Sequence, residues 1–383
     1  MKIAFFASSL VSAYWNGAAT YYRGIVRAMH GRGHEVTFYE PDAFDRQKHR
    51  DIADPEWARV VVYDGAGQPG VEAALAEAAG SDLVVKASGV GVHDQWLEAA
   101  VPALADGHTR VAFWDVDAPA TLERAEGDRG DPFRAVIPTY DIVFTYGGGP
   151  PVVAGYRALG ARRCVPIYNA LDPLTHFPAA AEARFAGDLG LLANRLPDRE
   201  ERVEEFFLQV APRLPRCRFV LGGNGWESKP LPPNVRHVGH VYTAEHNAFN
   251  ASCRAVLNVN RASMARYGHS PATRVFEAAG AGACLITDAF VGVEAFLEPG
   301  RELLVAADGA EVARQLEALT AGEARTIGAR ARARVLADHT YQHRAAEVEA
   351  ALAAFWPALA AGPSPPASPP GQADGSPAGA LQP

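Results

Sequence analysis

Arg274 and Glu277 lie three positions apart in a stretch that the sequence predicts to be helical. Ser270 is a good N-cap and Pro271 a good first helical residue, and residues three apart share one face of a helix. The helix amino end and the guanidinium would face a diphosphate, and the carboxylate would accept hydrogen bonds from ribose hydroxyls. This pattern indicates a sugar-nucleotide site. The alternative is an exposed ion pair within the helix that has no ligand.

A second polar group follows the predicted strand Asp188–Ala193. It contains Asn194, Arg195, Arg199 and Arg202, just before a helix with an apolar stripe. Backbone amides at the helix start and these guanidinium groups could neutralise phosphate oxygens, and Arg195 lies nearest the strand tip. Arg199 and Arg202 have acidic neighbours, so a solvated helix end is the alternative for them.

Three titratable residues follow predicted strands of the amino-terminal half: His93, Asp115 and Asp117. Ligands of open α/β sheets bind at the carboxyl ends of the strands. We therefore interpret His93 and Asp117 as candidate acid–base residues, and Asp115 as a further acid that could grip sugar hydroxyls. The structural alternative is that the aspartates only cap the loops that contain them.

Two glycine-containing loops invite a ligand-binding interpretation. The loop Tyr14–Gly17 follows the first strand, and Gly17 would let a ligand approach the backbone closely. The loop lacks the G-x-G-x-x-G pattern, so a hydride-carrying dinucleotide is not indicated. Gly147–Gly149 is followed by neither Lys-Ser nor Lys-Thr, which favours a flexible turn before a helix.

The elements that must position these residues form two halves, each alternating strands with helices. This alternation predicts two parallel sheets of the nucleotide-binding type. We place one domain at residues 1–172 and the other at 184–340, with the hinge between about 170 and 184. A last helix at 341–361 would pack back toward the first domain. The Pro, Ser, Gly and Ala composition of residues 362–383 predicts a disordered tail.

Composition limits the possible functions. The chain has 383 residues, 48% of them hydrophobic, and a net charge of −8 without a basic stripe, which argues against nucleic acid as the main partner. Four cysteines stand singly with neither zinc nor redox spacing, and no apolar run is long enough to span a bilayer. The start MKIAFFASS is too short for a signal-peptide core and reads as a strand. We therefore expect a cytoplasmic location.

The sequence resembles the GT-B glycosyltransferases, and within them the CgeB-like (spore maturation protein) branch, over about residues 1–350. The stretches that carry the resemblance are NRLPDREERVEEFF at 194–207, GHVYTAEHNAFN at 239–250 and SPATRVFEAAGAGACLITD at 270–288. It implies the GT-B fold, in which two Rossmann-like domains with parallel sheets face a central cleft.

The resemblance also implies roles for single residues. It assigns Glu277 to the donor ribose and Arg195 to the diphosphate, and it places Asn16-Gly17 in a loop facing the transferred sugar. With the polar residues at the strand ends, the predicted donor-binding set is Asn16, Gly17, Asn194, Arg195, Arg199, Gly223, Asn224, His240, Arg274 and Glu277.

Two positions depart from the group 1 glycosyltransferases that the chain resembles. Those relatives usually carry a glutamate eight positions before the ribose-binding one, where this chain has His269. They also carry a lysine shortly after the diphosphate arginine, and here Arg199 or Arg202 must substitute. A guanidinium neutralises phosphate, but its planar fork differs from the point charge of a lysine.

The resemblance implies sugar transfer from a UDP-, GDP- or dTDP-sugar to an acceptor hydroxyl of a glycan, protein or small molecule. No cofactor and no metal are expected, because GT-B sites stabilise the leaving diphosphate with arginines and helix amino ends. Two alternatives remain. One is a decayed transferase that binds sugar or nucleotide without turnover, and the other is a sugar-nucleotide epimerase, which would need no acceptor.

Overall fold

A computed structural model describes residues 1–14 and 16–356, which form two α/β domains. The strands of the first domain are β1 Lys2–Phe6, β2 Glu35–Asp42, β3 Arg59–Asp64, β4 Leu83–Ala87, β5 Arg110–Asp115, β6 Ile142–Thr145 and β7 Cys164–Pro166. They form a seven-stranded parallel sheet in the order β3-β2-β1-β4-β5-β6-β7. The reversal of strand order lies between β1 and β4, so the loops after these strands diverge there and leave a crevice.

The second domain repeats this design with β8 Gly187–Leu192, β9 Phe219–Gly222, β10 Val235–His237, β11 Cys253–Asn258, β12 Leu285–Asp288 and β13 Leu304–Ala306. These strands form a six-stranded parallel sheet in the order β10-β9-β8-β11-β12-β13. Strands β4, β6, β9 and β12 are buried along their whole length, as expected for parallel strands covered by helices on both faces, whereas the edge strands β3, β7, β10 and β13 are only partly buried.

Helices cover both sheets. Those of the first domain are α1 Ala19–Gly31, α2 Gln68–Ala78, α3 Asp94–Ala100, α4 Ala118–Gly127, α5 Pro132–Val136 and α6 Gly149–Ala158. The second domain contains α7 Pro197–Val203, α8 His246–Ser252, α9 Ala262–Tyr267, α10 Thr273–Gly280, α11 Gly309–Ala318 and α12 Ala321–Asp338, and α13 Tyr341–Ala353 follows. Each sheet has an apolar core on both of its faces, which fixes the strand ends that carry the polar loops.

Helix α13 returns to the first domain after the second is complete. The ring of Tyr341 covers Gly24 of α1, where an added Cβ would lie 2.2 Å from the ring. Ala345, Val348 and Leu352 of α13 are buried in the same core as β1. A backbone hydrogen bond from Leu171 N to His339 O joins the two chain crossings between the domains.

Some predicted elements differ from the observed ones. Strand β3 and helices α4 and α5 were not predicted, and α9 occupies part of the predicted polar loop. The part of the predicted last helix and tail from residue 357 onward lies outside the described residues. No helix in the described ranges combines the length and apolar character needed to cross a membrane.

Candidate functional site

Glu277 lies in the middle of α10, whose Val275, Phe276, Ala278 and Ala279 are buried in the core. Its carboxylate is also buried, with Oε1 3.9 Å from His176 Nε2 and Oε2 4.0 Å from His246 Nδ1. Burial by itself would raise the pKa of the Glu277 carboxyl. The neighbouring His176, Arg274 and His246 outweigh that effect, so the pKa lies below its ordinary value. The carboxylate is therefore available at neutral pH as a hydrogen-bond acceptor.

The start of α10 corrects one prediction. The helix begins at Thr273 with Ala272 as N-cap, so Ser270 as cap and Pro271 as first helical residue are wrong. Ser270 Oγ instead donates to Gly268 O, and Pro271 O accepts from Asn169 Nδ2. Contacts with the preceding domain and linker thus outweigh the local capping preference. Arg274 still lies in the first turn of the helix.

The guanidinium groups of Arg199, on α7, and Arg274, on α10, lie near each other. Burial lowers the pKa of Arg199, and the nearby charges of Arg274 and Arg261 lower it further. Burial also lowers the pKa of Arg274. In the part of the chain that the structure describes, Arg199 Nε and Arg274 Nη1 are buried without a hydrogen-bond partner. Buried donors of this kind cost free energy unless an acceptor is bound, so the arrangement suits an anion.

Arg195 has a different environment, although it follows β8 as predicted. Its Nε donates to Glu200 Oε2 at 2.8 Å, and Lys229 Nζ lies 2.7 Å from the other oxygen of Glu200. The hydrogen bond from Arg195, followed by that from Lys229, lowers the pKa of Glu200 to about 2. Arg195 must therefore leave, or share, an intradomain ion pair to bind a phosphate.

Hydrogen bonds join the loop after β8 to the loop after β9. Asn224 N donates to Asn194 Oδ1 at 3.0 Å, and Arg195 N donates to Asn224 O at 2.9 Å. Gly223 has φ 130°, and an added Cβ would lie 2.1 Å from Ala193 O. Only glycine fits this approach, so Asn194, Gly223 and Asn224 share one rigid loop pair. His240 is exposed on the loop after β10, with its ring edge-to-face against Tyr242 at 4.5 Å.

The predicted sugar-facing loop of the first domain is braced internally. Asn16 Oδ1 accepts from Ser8 Oγ, and its Nδ2 donates to Ser9 O and Ser12 O. These bonds place Asn16 as a support of the loop that precedes α1. Gly17 is exposed, and a Cβ added there would meet no described atom within 4 Å. There is therefore room for a ligand beside Gly17, but no neighbouring described atom of the protein requires glycine at this position.

The two predicted catalytic residues have different partners. Asp117, which follows β5, receives Arg261 Nη1 of the second domain on Oδ2 at 3.1 Å. His93 has φ 57°, and its Nε2 lies 3.1 Å from Gly65 O, in the loop after β3. Asp115 is fully buried and accepts from Ser88 Oγ and Tyr156 OH, and burial raises its pKa. Asp117 is thus the predicted carboxylate that contacts the second domain, while Asp115 supports the fold.

Three residues at the site were not predicted: Arg261, His176 and His246. Arg261 pairs with Asp198 as well as Asp117, and its position three residues after the end of β11 is a usable sequence signal. His246 lies within the 239–250 stretch that carries the resemblance. His176 lies in the linker between the sheets, where the sequence offers no signal for it.

Comparisons with known proteins agree with this architecture. Residues 199–350 match the family model described as Glycosyl transferase-like, and no curated protein matches the sequence. Sucrose-phosphate synthase from Thermosynechococcus elongatus superposes with a TM-score of 0.68 at 15% identity, over 94% of this chain and 100% of that one.

Two further solved structures have the same fold. HepE from Anabaena, in complex with UDP and glucose, has a TM-score of 0.66 at 14% identity, over 93% of this chain and 100% of that one. AviGT4, a glycosyltransferase involved in avilamycin A biosynthesis, has a TM-score of 0.57 at 19% identity, over 91% of this chain and 96% of that one. The predicted fold class is confirmed: the chain has the GT-B fold of two parallel-sheet α/β domains.

Proposed function

We propose that this chain transfers a sugar from a nucleotide diphosphate sugar to an acceptor hydroxyl. The observation that carries this proposal is the pair of buried, unsatisfied donors on Arg199 and Arg274 within the described residues, with the Glu277 carboxylate less than one helical turn beyond Arg274. Two guanidinium groups match a diphosphate, and a carboxylate that accepts two hydrogen bonds matches the neighbouring ribose hydroxyls.

The chemical difficulty is the departure of an anionic diphosphate from an oxocarbenium-like carbon. Arg199 and Arg274 would stabilise the developing charge, together with the amide groups at the start of α10. Arg195 would join them if it exchanges Glu200 for phosphate. On this proposal the transfer itself uses no metal and no cofactor.

The acceptor would approach from the first domain. Asp117 would be the general base that takes the proton of the attacking hydroxyl, since it lies at the carboxyl end of β5 beside Arg261. The surface at Gly17 would face the transferred sugar, and His93 would shape the acceptor side from the loop after β4. Contact between the domains would exclude water, which would otherwise accept the sugar.

The finer assignments rest on the stretches named above and on the solved relatives. HepE is bound to UDP and glucose, which supports a UDP-hexose as the first donor to try and GDP- and dTDP-sugars as the next. We also propose the CgeB-like branch, a hexosyl group and a cytoplasmic location.

A donor panel tests this function. Release of the nucleoside diphosphate is measured with UDP-, GDP- and dTDP-hexoses, with and without glycan, protein and small-molecule acceptors. We expect one donor to turn over only with an acceptor. The Glu277→Gln protein should bind that nucleotide and its 2′-deoxy form equally, whereas the wild type should prefer the ribose form.

Three results would contradict the proposal. Nucleotide binding without turnover would indicate a decayed binder, and donor isomerisation without an acceptor would indicate an epimerase. Full wild-type turnover in Glu277→Ala would remove the ribose assignment. The exposed control His30→Asn, far from these residues in α1, should match the wild type in every assay.

A further inference from the structure

His176, His246 and Glu277 come together from three separate parts of the chain: the interdomain linker, the start of α8 and the middle of α10. Their nearest ligand atoms all lie within 4.8 Å of one another. The side chains of His176 and Glu277 are 1% and 6% exposed, and that of His246 is 15% exposed. The linker backbone itself packs on α10, since a Cβ added to Gly280 would lie 3.1 Å from His176 O.

Hydrogen bonds favour one tautomer of His176. Thr175 Oγ1 donates its hydrogen to Asp172 O at 3.1 Å, so toward His176 the hydroxyl acts as an acceptor. This arrangement favours a hydrogen on Nδ1, which is 3.0 Å from Thr175 Oγ1. Nε2 is left with a lone pair directed at Glu277 Oε1, and within residues 1–14 and 16–356 it has no hydrogen-bond partner.

His246 presents the same arrangement from the other side. Its ring hydrogen-bonds to the backbone of Val241, while Nδ1 is buried without a hydrogen-bond partner among the described residues. Nδ1 faces Glu277 Oε2 at 4.0 Å. When both imidazoles are neutral, two lone pairs face the carboxylate with no hydrogen between them. A proton on one of the rings or a metal cation relieves this arrangement, and the outward ring hydrogen bonds are those that metal-ligating histidines usually make.

We propose that His176, His246 and Glu277 form a binding site for a transition-metal dication of the zinc type. Two neutral imidazoles and one carboxylate are a donor set that Zn²⁺ and Co²⁺ accept, with a further position left for water. At metal–ligand lengths of about 2.0–2.1 Å, tetrahedral ligand atoms lie about 3.3 Å apart. The observed separations of 3.9 and 4.0 Å join the two histidines to different oxygens of Glu277, and the three ligand atoms lie within 4.8 Å of one another, so side-chain rotations would have to bring them to that value. The nearby Arg274 opposes the added charge, so binding is weaker than at closed four-ligand zinc sites.

Metal at this site would act on the protein in two ways. It would tie the interdomain linker to α8 and α10. It would also occupy Glu277, and on the proposed function that carboxylate is needed by the donor ribose. Metal and nucleotide would then exclude one another, which makes the site an inhibitory one. This second effect rests on the proposed function, whereas metal binding itself does not.

The test uses the full chain, treated with a chelator and then dialysed. Zn²⁺ alone is titrated by calorimetry, and Co²⁺ alone by its visible absorption, which reports nitrogen ligands and coordination number. We expect one metal per chain and at least a tenfold loss of affinity in each of His176→Ala, His246→Ala and Glu277→Gln. His30→Ala, which removes an exposed imidazole of α1, should bind metal as the wild type does.

Far-UV circular dichroism checks that each variant is folded, and His176→Gln, which keeps the side-chain volume, replaces any variant that is not. Absence of stoichiometric metal in the wild type would overturn the inference. Unchanged affinity in the folded His176 and His246 variants would overturn it too.

A competition arm separates the two proposals. UDP is added to the Co²⁺-loaded chain, and we expect the visible bands to disappear as UDP binds. If UDP binds and the bands persist, mutual exclusion is wrong while the metal site stands. If no nucleotide binds the metal-free chain, the proposed function fails and the metal titration is unaffected.

Discussion

Arg261 Nη1 lies 3.1 Å from Asp117 Oδ2, so an arginine of the second domain and a carboxylate of the first form an ion pair between the two domains. The same guanidinium pairs with Asp198 in the first turn of α7. One cation therefore neutralises two carboxylates, one from each domain. Whatever draws Arg261 away, such as the phosphate of a donor, would leave Asp117 free to accept a proton.

Asp117→Asn should lower turnover and leave nucleotide binding nearly unchanged. The amide can still accept from Arg261 but cannot take a proton, and loss of a general base typically costs about 10²–10⁴-fold in rate. Steady-state kinetics and calorimetric UDP titration measure the two effects. Asp198→Asn is the matched control, since it removes the other partner of Arg261 and should retain most of kcat. Equal kcat in the two variants would remove Asp117 as the base.

Replacing Arg199 or Arg274 by alanine should weaken UDP binding about 10–100-fold, because each loses a charge-assisted hydrogen bond worth about 1.5–3 kcal/mol. Arg195→Ala should weaken it least, since Arg195 is already paired with Glu200. Calorimetric titrations with UDP and with uridine separate the phosphate contribution, and uridine binding should change in none of the three. An order of effects led by Arg195 would instead support its predicted role as the main diphosphate ligand.

Gly223→Ala should destabilise the protein by at least about 2 kcal/mol, through a strained φ and the clash with Ala193 O. Gly17→Ala should leave stability unchanged, since its Cβ has room. Thermal denaturation of both variants gives the comparison. If Gly17→Ala keeps the wild-type melting temperature but loses turnover, a ligand must contact the backbone at Gly17. An unchanged melting temperature in Gly223→Ala would mean that the paired loops move apart easily.

Acid should destabilise the fold in part through His339. Burial and then the neighbouring Arg344 lower its pKa from 6.5 to about 4, so the folded chain keeps this imidazole neutral while the unfolded chain protonates it. The contribution of neutral His339 to the free energy of unfolding is fully present above about pH 6.5. It is lost as the pH falls toward about 4, which lowers the free energy of unfolding by up to about 3 kcal/mol. Urea unfolding between pH 4 and 7 should show a smaller pH slope in His339→Asn. His30→Asn, exposed on α1, should keep the wild-type slope.

The sequence predicted the two-domain fold because buried parallel strands leave short apolar runs, such as residues 83–85 in β4 and residues 189–192 in β8. Strand β3 was not predicted because it lies at the edge of the sheet. Among the described residues 59–64, Tyr63 is its one buried residue, so the strand lacks a buried apolar run. Helix α10 was recognised, but its start was misplaced, since Gly268 and His269 adopt positive φ values under contacts with the first domain.

Side-chain partners were harder to foresee than strand ends. The tip of β8 placed Arg195 correctly in the chain, but its orientation depends on Glu200 and on Lys229, which lies in the loop after β9. Asn16 stays a predicted donor-binding residue, and the hydrogen bonds of its amide to the backbone of its own loop could not be foreseen from the sequence. His176 reaches Glu277 only because the linker packs on α10, a contact that local sequence patterns do not encode.

The return of α13 to the first domain bears on how the chain is made. Tyr341, Val348 and Leu352 complete the core around β1, although they are translated after every strand of both sheets. While the ribosome is still synthesising the second domain, the side of α1 that Tyr341 covers stays open to water and to chaperones. The core around β1 and α1 is thus completed only after the whole second domain has been synthesised.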